Sequence, residues 1–574
     1  MQKKYRVTFI SFVAVVALLL GAFGASFASA QGQSHSAAQV SSTSASSAIS
    51  KVVAQHTVKM SQVSGESSKA ASSPVRAMPL LPQRSKAGAA LNQNAPHFTG
   101  LTPTASDSIS PNTPPTITKF HGMADSASIC PYFGGCQPPD MALATSPKWV
   151  FQGVNTSFAV YNTSGAIQAG WPKNAQKFFG VPNPPNNCDP NGPFLSDPRA
   201  FYDPNDGRFW AATLQVEGAF GLNTCPFQTL YWIAVSQTND PNGTWNVYAF
   251  DMSLGTTNAA DYTQFGFDAH AIYFNANMFN QAGSAYAYDE LFGANKAKME
   301  AGQAVTAFGF DKLTANGVLV DTVQPVETEV LPNEQLGVGL FVNTFNMNGD
   351  GTHDCLNTAC SGIVVWAMEN PGTHSATLTG VIVKTLRYIS PPNADQPGCT
   401  QCIETIDTRI TATPVFSKGT ISWSIDTGAK NKTQVVPTIL WGQVSPQFVN
   451  GHLKGAFIYQ SNYFGFEGDQ DASFGAMMPD NNGDLIMVYD TMSSTLNPST
   501  AYTGRRVTYP LGFFHDAGKF LQKGLAPTFD SRWGDYEATS YDGFSTDHIW
   551  MASQYSGANS DWATVIGKTK FLLK

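Results

Sequence analysis

The sequence predicts an all-β chain: a β-propeller of four-stranded antiparallel blades, seven blades favoured over six, with the ring closed by strands from the two ends of the folded region. Three observations predict it. Only 13% of the 574 residues are charged, against 12% aromatic, with 50 Gly and 35 Pro. That mixture suits many short strands cut by turns rather than helices. The stretch 196–251 reads as a complete antiparallel unit, and an acidic residue that opens it recurs along the chain at a steady interval.

The opening unit sets the ruler. Asp197 leads into a strand at 199–202, then the turn DPNDG, then a strand at 208–214 rich in aromatic and small residues. A third strand follows at 230–236 and, after a polar turn, a fourth at 245–250. Tight turns built on Gly, Pro, Asn and Asp between apolar runs are hairpin signals. The anchors Asp197 and Asp261, Asp407 and Asp471, and Asp471 and Asp535 are each 64 residues apart. Asp140 gives an earlier start, and Asn333-Glu334 ahead of QLGVGLFVNTFN fills the gap between Asp261 and Asp407. Repetition at this period means radially arranged sheets. Closing them into a ring removes the two sheet edges that would otherwise aggregate. The last unit is short, so strand-forming residues just after Thr116 are expected to complete it.

Three domains follow. Residues 1–30 read as a signal peptide: Lys3, Lys4 and Arg6, then an apolar run, then Ala28-Ser29-Ala30. Residues 31–115 are rich in Ser, Ala, Thr and Pro and read as a disordered linker or stalk. Residues 116–574 are the propeller. The expected location is extracellular, secreted or held at the cell surface, with no membrane insertion after cleavage and a monomeric state. The formal net charge of −8 and the lack of a basic stripe exclude nucleic acid.

Eight cysteines fit an oxidising compartment. Cys130/Cys136, Cys355/Cys360 and Cys399/Cys402 form near pairs, and Cys188 and Cys225 lie beside or inside the opening unit; all eight are disulfide candidates, their connectivity open. Metal signals are sparse. Asn346, Asn348, Asp350 and Asp354 alternate oxygen ligands around a Gly, as in half of a calcium loop, but lack the distant bidentate Glu. Asp480-Asn481-Asn482-Gly483-Asp484 reads more simply as an Asn-Gly hairpin turn. No cofactor is required; calcium is the one ion with a plausible loop. Zincin, P-loop and nucleophile-elbow motifs are absent.

The turn TNDPNGTW at 238–245 resembles the Asp-box of sialidase-like propellers, Ser/Thr-x-Asp-x-Gly-x-Thr-Trp, with Asn242 in place of the usual Gly and the Gly one place later. Ser424-Ile425-Asp426-Thr427-Gly428 matches its first five positions and lacks the Trp. The segments SDPRAFYDPNDGRFW, PPDMALATSPKWVFQGVNTSFAVY and SRWGDYEATSYD resemble secreted bacterial β-propeller proteins of unassigned activity, distantly sialidase-like. This resemblance covers roughly 116–574 and implies a fold more than a function.

It also implies where to look for chemistry. Sialidase-like hydrolases hold a substrate carboxylate with three arginines and use a Tyr–Glu nucleophile with an Asp acid/base. The corresponding candidates here are Arg199, Arg409 and Arg532 for binding, with Tyr262, Tyr536, Glu537 and Asp535 for catalysis. The arginines sit out of register: two residues after Asp197 and Asp407, but three before Asp535. Tyr536 and Glu537, adjacent on one strand, point to opposite faces. A binding module for an extracellular or cell-wall glycan or protein is therefore the leading expectation, carbohydrate hydrolysis the alternative, and a stalked surface protein the third.

Overall fold

The computed structural model describes residues 38–66, 95–102, 112–126, 137–328, 336–345, 355, 359–529, 531–543 and 545–572. All lie in the unit Ala37–Lys574. It is all-β and built from four-stranded antiparallel sheets. The 196–251 unit runs Leu195–Asp203, Arg208–Glu217, Gln228–Ser236 and Thr244–Asp251, within a few residues of the strands expected. Other sheets begin at Ala142–Thr145, Ala259–Phe267, Gln324–Pro325, Val415–Ser417, Ser473–Pro479 and Ala538–Tyr541, each followed by its next strands in sequence order. In the sheet that begins at Ala538–Tyr541, the fourth strand is Thr116–Ala124, paired antiparallel with Trp562–Thr569.

The sheets stack face to face because their strands are apolar on both sides. Along Gln228–Ser236, Tyr231, Ile233 and Val235 join a cluster with Phe265 and Phe274 of the following sheet. Trp232 and Ala234 point the other way, into Phe151 and Phe158 of the preceding one and Phe178 of the short helix Ala175–Phe179. Period-two alternation thus divides one strand between two cores. At the first strands, a polar side chain of one sheet takes a backbone N–H of the next. Asp197 donates to Asn155 Oδ1 at 2.9 Å, and Thr263 to Asp197 Oδ2 at 3.1 Å. Thr322 donates to Asn277 Oδ1 at 2.8 Å, and Phe474 to Asp426 Oδ1 at 2.9 Å. Asp197, Thr322 and Phe474 hold φ near +50°, a region costly for side chains with a Cβ. Two of these positions, Asp197 and Phe474, lie in bulges that open each strand.

Four expectations are corrected. Residues 38–62, inside the presumed disordered linker, are largely strand: Ala38–Gln39 pairs with His452–Phe464, and Thr43–Lys59 pairs with two sheets. Low apolar content does not prevent a segment from ordering when existing sheet edges supply its hydrogen bonds. The unit assigned to Asn333-Glu334 opens earlier in the chain. The residues after that pair form the second strand, Val338–Thr344, and the first is Gln324–Pro325; Asn333 and Glu334 lie outside the described residues. Ser424-Ile425-Asp426-Thr427-Gly428 lies within the strand Thr420–Lys430, not in a turn. The acidic anchors are not equivalent: Asp197 occupies the left-handed bulge position, whereas Asp261 precedes the corresponding Tyr262 by one residue.

Cys188–Cys225, Cys355–Cys360 and Cys399–Cys402 are disulfides; Cys130 and Cys136 lie outside the described residues. No helix among the described residues is long and apolar enough to cross a membrane.

Candidate functional site

The candidate residues, out of register in the sequence, meet in space. Arg199 extends from the first strand Leu195–Asp203, and its guanidinium carbon lies 3.2 Å from the Tyr536 ring centroid. Arg409 stacks on Tyr262 at 4.3 Å. The two tyrosine rings meet edge to face at 6.0 Å. Arg532 donates to Asp535 Oδ1 at 2.9 Å and faces Glu404 Oε2 at 3.6 Å. Each reaches the group from a different kind of segment: Arg199 from a strand, Arg409 from the connection after Cys399–Ile403, Arg532 from the loop before Ala538–Tyr541. Convergence therefore does not need equal offsets from the anchors.

Most of the bonding capacity is used internally. Arg409 donates Nε and Nη2 to the two oxygens of Asp407, at 2.8 and 2.6 Å. The Tyr262 hydroxyl donates to Asp535 O at 3.2 Å, and the Tyr536 hydroxyl to Pro198 O at 3.0 Å. Burial raises both phenols well above their ordinary range, so they are neutral donors and poor nucleophiles. Arg199 donates through Nε to Thr263 O at 3.4 Å, but its buried Nη2 has no partner.

Carboxylates crowd the same place. Asp140 accepts from Asn155 Nδ2 at 2.6 Å and from the Asp535 N–H at 3.0 Å. Burial, then repulsion from Asp535 and Asp197, raises Asp140 well above the usual carboxylate range. Burial, then Asp197 and Asp535, does the same for Asp261. Arg409 runs the opposite way: burial pulls it down, yet Asp407 holds it above its ordinary value. Arg409, Asp407, Arg532, Asp535 and Glu404 keep part of their side chains in solvent, whereas Arg199, Tyr262 and Tyr536 are buried. The exposed charges thus form a rim over a closed aromatic layer. The hairpin of Ala394–Gln396 and Cys399–Ile403, tied by Cys399–Cys402, packs Ala394 and Ile403 into the cluster holding Tyr262, Trp533 and Tyr536.

Glu537 leaves this layer. It lines, with Arg199 and Glu327, a small cavity of about 20 Å³, and it hydrogen-bonds Asp490. Asp490 accepts from Trp533 Nε1 and Ser553 Oγ, each at 2.6 Å. Burial raises Asp490 to about 7 and Glu537 well above its ordinary value. Two buried carboxyls so close hold a proton between them. Burial alone lifts Glu327 to about 8. Glu404, Asp490 and Trp533 were not among the sequence candidates. Asp490 carried one faint signal, an acid within the apolar strand Leu485–Ser493.

Asn346, Asn348, Asp350 and Asp354 lie outside the described residues. At Asp480, Oδ1 accepts from the N–H groups of Asn482 and Asp484, as a hairpin turn does. Among the described residues, one group of carboxylates has the closeness a metal needs: Asp203, Asp206 and Glu300. The Lys296 ammonium already sits there, 2.5 Å from Asp203 and 2.7 Å from Asp206, so the cation is supplied by the chain. In the 238–245 turn, Asp240 Oδ1 accepts from Asn242 N at 3.0 Å, and the buried Trp245 donates Nε1 to Pro241 O at 3.0 Å.

No family model matches the chain, and no curated protein matches it. Similar solved structures include a Hadza microbial sialidase, at 9% identity over 65% of this chain and 66% of that one, TM-score 0.34. The chain therefore spans just under two thirds of that sialidase. The hemagglutinin-neuraminidase ectodomain of parainfluenza virus 5 aligns at 8% identity over 64% of this chain and 78% of its own, TM-score 0.34. Extracellular domains 1–2 of Drosophila Semaphorin 1b align at 7% over 80% and 87%, TM-score 0.32. Likeness this distant carries no argument about activity.

Proposed function

We propose that the chain is an extracellular seven-bladed β-propeller that binds a glycan at the charged rim over Tyr262 and Tyr536. The count of seven rests, among the described residues, on six successive four-stranded meanders and a seventh sheet of three successive strands completed by Thr116–Ala124. Closure rests on the pairing of Thr116–Ala124 with Trp562–Thr569. Export rests on the signal-like first thirty residues and the disulfides.

One observation carries the binding reading: Arg409 and Arg532 hold partly exposed guanidinium groups beside partly exposed carboxylates, above tyrosines whose hydroxyls are already engaged. Fixed guanidinium and carboxylate groups provide donors and acceptors for sugar hydroxyls without reorganisation. A sialidase-like hydrolase would instead need a free tyrosine hydroxyl next to a carboxylate base, and Glu537 is turned to Asp490. The supporting observation for that second reading is the convergence of three arginines with Tyr262 and Tyr536.

A glycan array separates the two. Binding that Arg409→Ala and Arg532→Ala reduce, with no turnover of fluorogenic glycosides including a sialoside, is the expected result. Turnover lost on Arg199→Ala would favour hydrolysis, and an array without any bound glycan would remove the leading reading.

A further inference from the structure

The strand Thr43–Lys59 changes partner midway. Residues Thr43 to Lys51 pair antiparallel with Thr306–Ala315, in register from Ala315↔Thr43 to Thr306↔Lys51. Residues from Val52 to Lys59 pair with Thr244–Asp251, from Phe250↔Val52 to Thr244↔Lys59. Both partners are the fourth strands of their sheets, whose edges would otherwise be bare. We propose that these two edges form a strand-docking surface, filled here by residues 43–59 of the same chain, and that the surface also takes the 43–59 segment of a second copy.

The side chains define what fits. Ala48 and Val52 pack against the cluster of Phe250 and Phe292, and Ala54 and Val58 against that of Trp232 and Trp245. Ser50, fully buried, donates to Asp251 O at 2.7 Å. His56 Nε2 reaches Phe179 O at 2.9 Å and its ring meets Trp232 edge to face. The intervening residues face solvent, Ile49 being 53% and Val53 55% exposed. Affinity comes from the main chain and selectivity from Ala48, Ser50, Val52, Ala54, His56 and Val58 at every second position, as in strand addition to a sheet edge.

Exchange between copies follows from connectivity. The segment is separated from the next described strand along the chain, Thr116–Ala124, by the residues 60–115. Residues 60–66 and 95–102 hydrogen-bond to the sheets, and the run of residues between them, 67–94, reaches about 90 Å at most, at roughly 3.3 Å per residue. An identical segment from a neighbour makes the same pairing without altering either sheet, which is the condition for domain swapping.

The test pairs Ala54 with Ala249, which face each other across the seam. Full-length Ala54→Cys and Ala249→Cys proteins are mixed, incubated at high concentration, oxidised and run on non-reducing gels. A mixed disulfide dimer, absent from either protein alone, is expected; its absence, where the doubly substituted chain closes an internal disulfide, overturns exchange. A labelled peptide of residues 43–59 provides the second measurement, added to a full-length variant with Ala48→Pro and Ala54→Pro. Saturable binding is expected there, about tenfold or more tighter than to the wild type, and is lost when the peptide carries the same prolines. Equal binding of both peptides, or of neither, overturns the docking surface.

Discussion

The guanidinium carbon of Arg199 lies 3.2 Å from the centroid of the Tyr536 ring, and no carboxylate reaches the group within salt-bridge distance among the described residues. A buried cation held by a ring face and one carbonyl is expensive to keep, since burial removes its hydration. Arg199→Met should therefore keep the packing and leave stability within about 1 kcal/mol of wild type or raise it. Arg199→Ala, which opens a cavity and removes the stack, should cost about 2 kcal/mol or more. Thermal unfolding midpoints of the two variants, compared side by side, check this; equal losses would contradict it.

The Asp490–Glu537 pair predicts a pH dependence. Both groups have native pKa values above their unfolded ones, Asp490 at about 7. The folded state therefore binds more protons, and its advantage is complete below the unfolded values near pH 4. It falls as pH rises toward 7 and continues to fall as Glu537 ionises. One proton's difference is worth about 1.4 kcal/mol per pH unit. Glu537→Gln should flatten the fall of the unfolding midpoint between about pH 4 and 8. Parallel curves for the variant and the wild type would rule the shared proton out.

Lys296 bridges Asp203 and Asp206 with its side chain 3% exposed and that of Asp203 0% exposed. Lys296→Met leaves the Asp203 carboxylate buried without its cation, at a cost of about 3–5 kcal/mol. Adding Asp203→Asn removes the stranded charge and should recover more than half of that loss. Denaturant midpoints of the single and double variants measure the coupling.

Cys188–Cys225 closes a loop with a sequence separation of 37, whereas Cys355–Cys360 has a separation of 5. Chain-entropy reasoning gives roughly 4 kcal/mol for the first and roughly 2 for the second. Replacing Cys188 and Cys225 by Ser should therefore lower the unfolding midpoint further than replacing Cys355 and Cys360.

The sheets were legible because their turns were. DPNDG and TNDPNGTW mark hairpins whose flanking strands the structure places within a few residues of expectation. The unit that opens at Gln324–Pro325 was given too late a start because its first strand is two residues long and carries no pattern. Thr43–Lys59 was missed for a different reason: its Ser and Ala content resembles linkers, and its partners are edges nearly 200 or more residues away. At the candidate site the residue types were legible and the arrangement was not. Arg199, Arg409 and Arg532 come from three kinds of segment, so no common offset could announce their meeting. Tyr536 and Glu537 do enter different surroundings, but both precede the strand Ala538–Tyr541, so strand alternation is not the reason, and the Asp490 partner comes from a neighbouring sheet and left no local mark.

The pairing of Thr116–Ala124 with Trp562–Thr569 also bears on synthesis. A ribosome delivers residue 124 long before residue 562, at about 5–20 residues per second. For tens of seconds, then, the nascent chain carries a finished strand whose neighbour does not yet exist. Its apolar residues, Ile117, Phe120 and Met123, must stay out of trouble throughout that interval. A chaperone that shields this segment, or an export step that keeps the chain unfolded until it is whole, meets the same need.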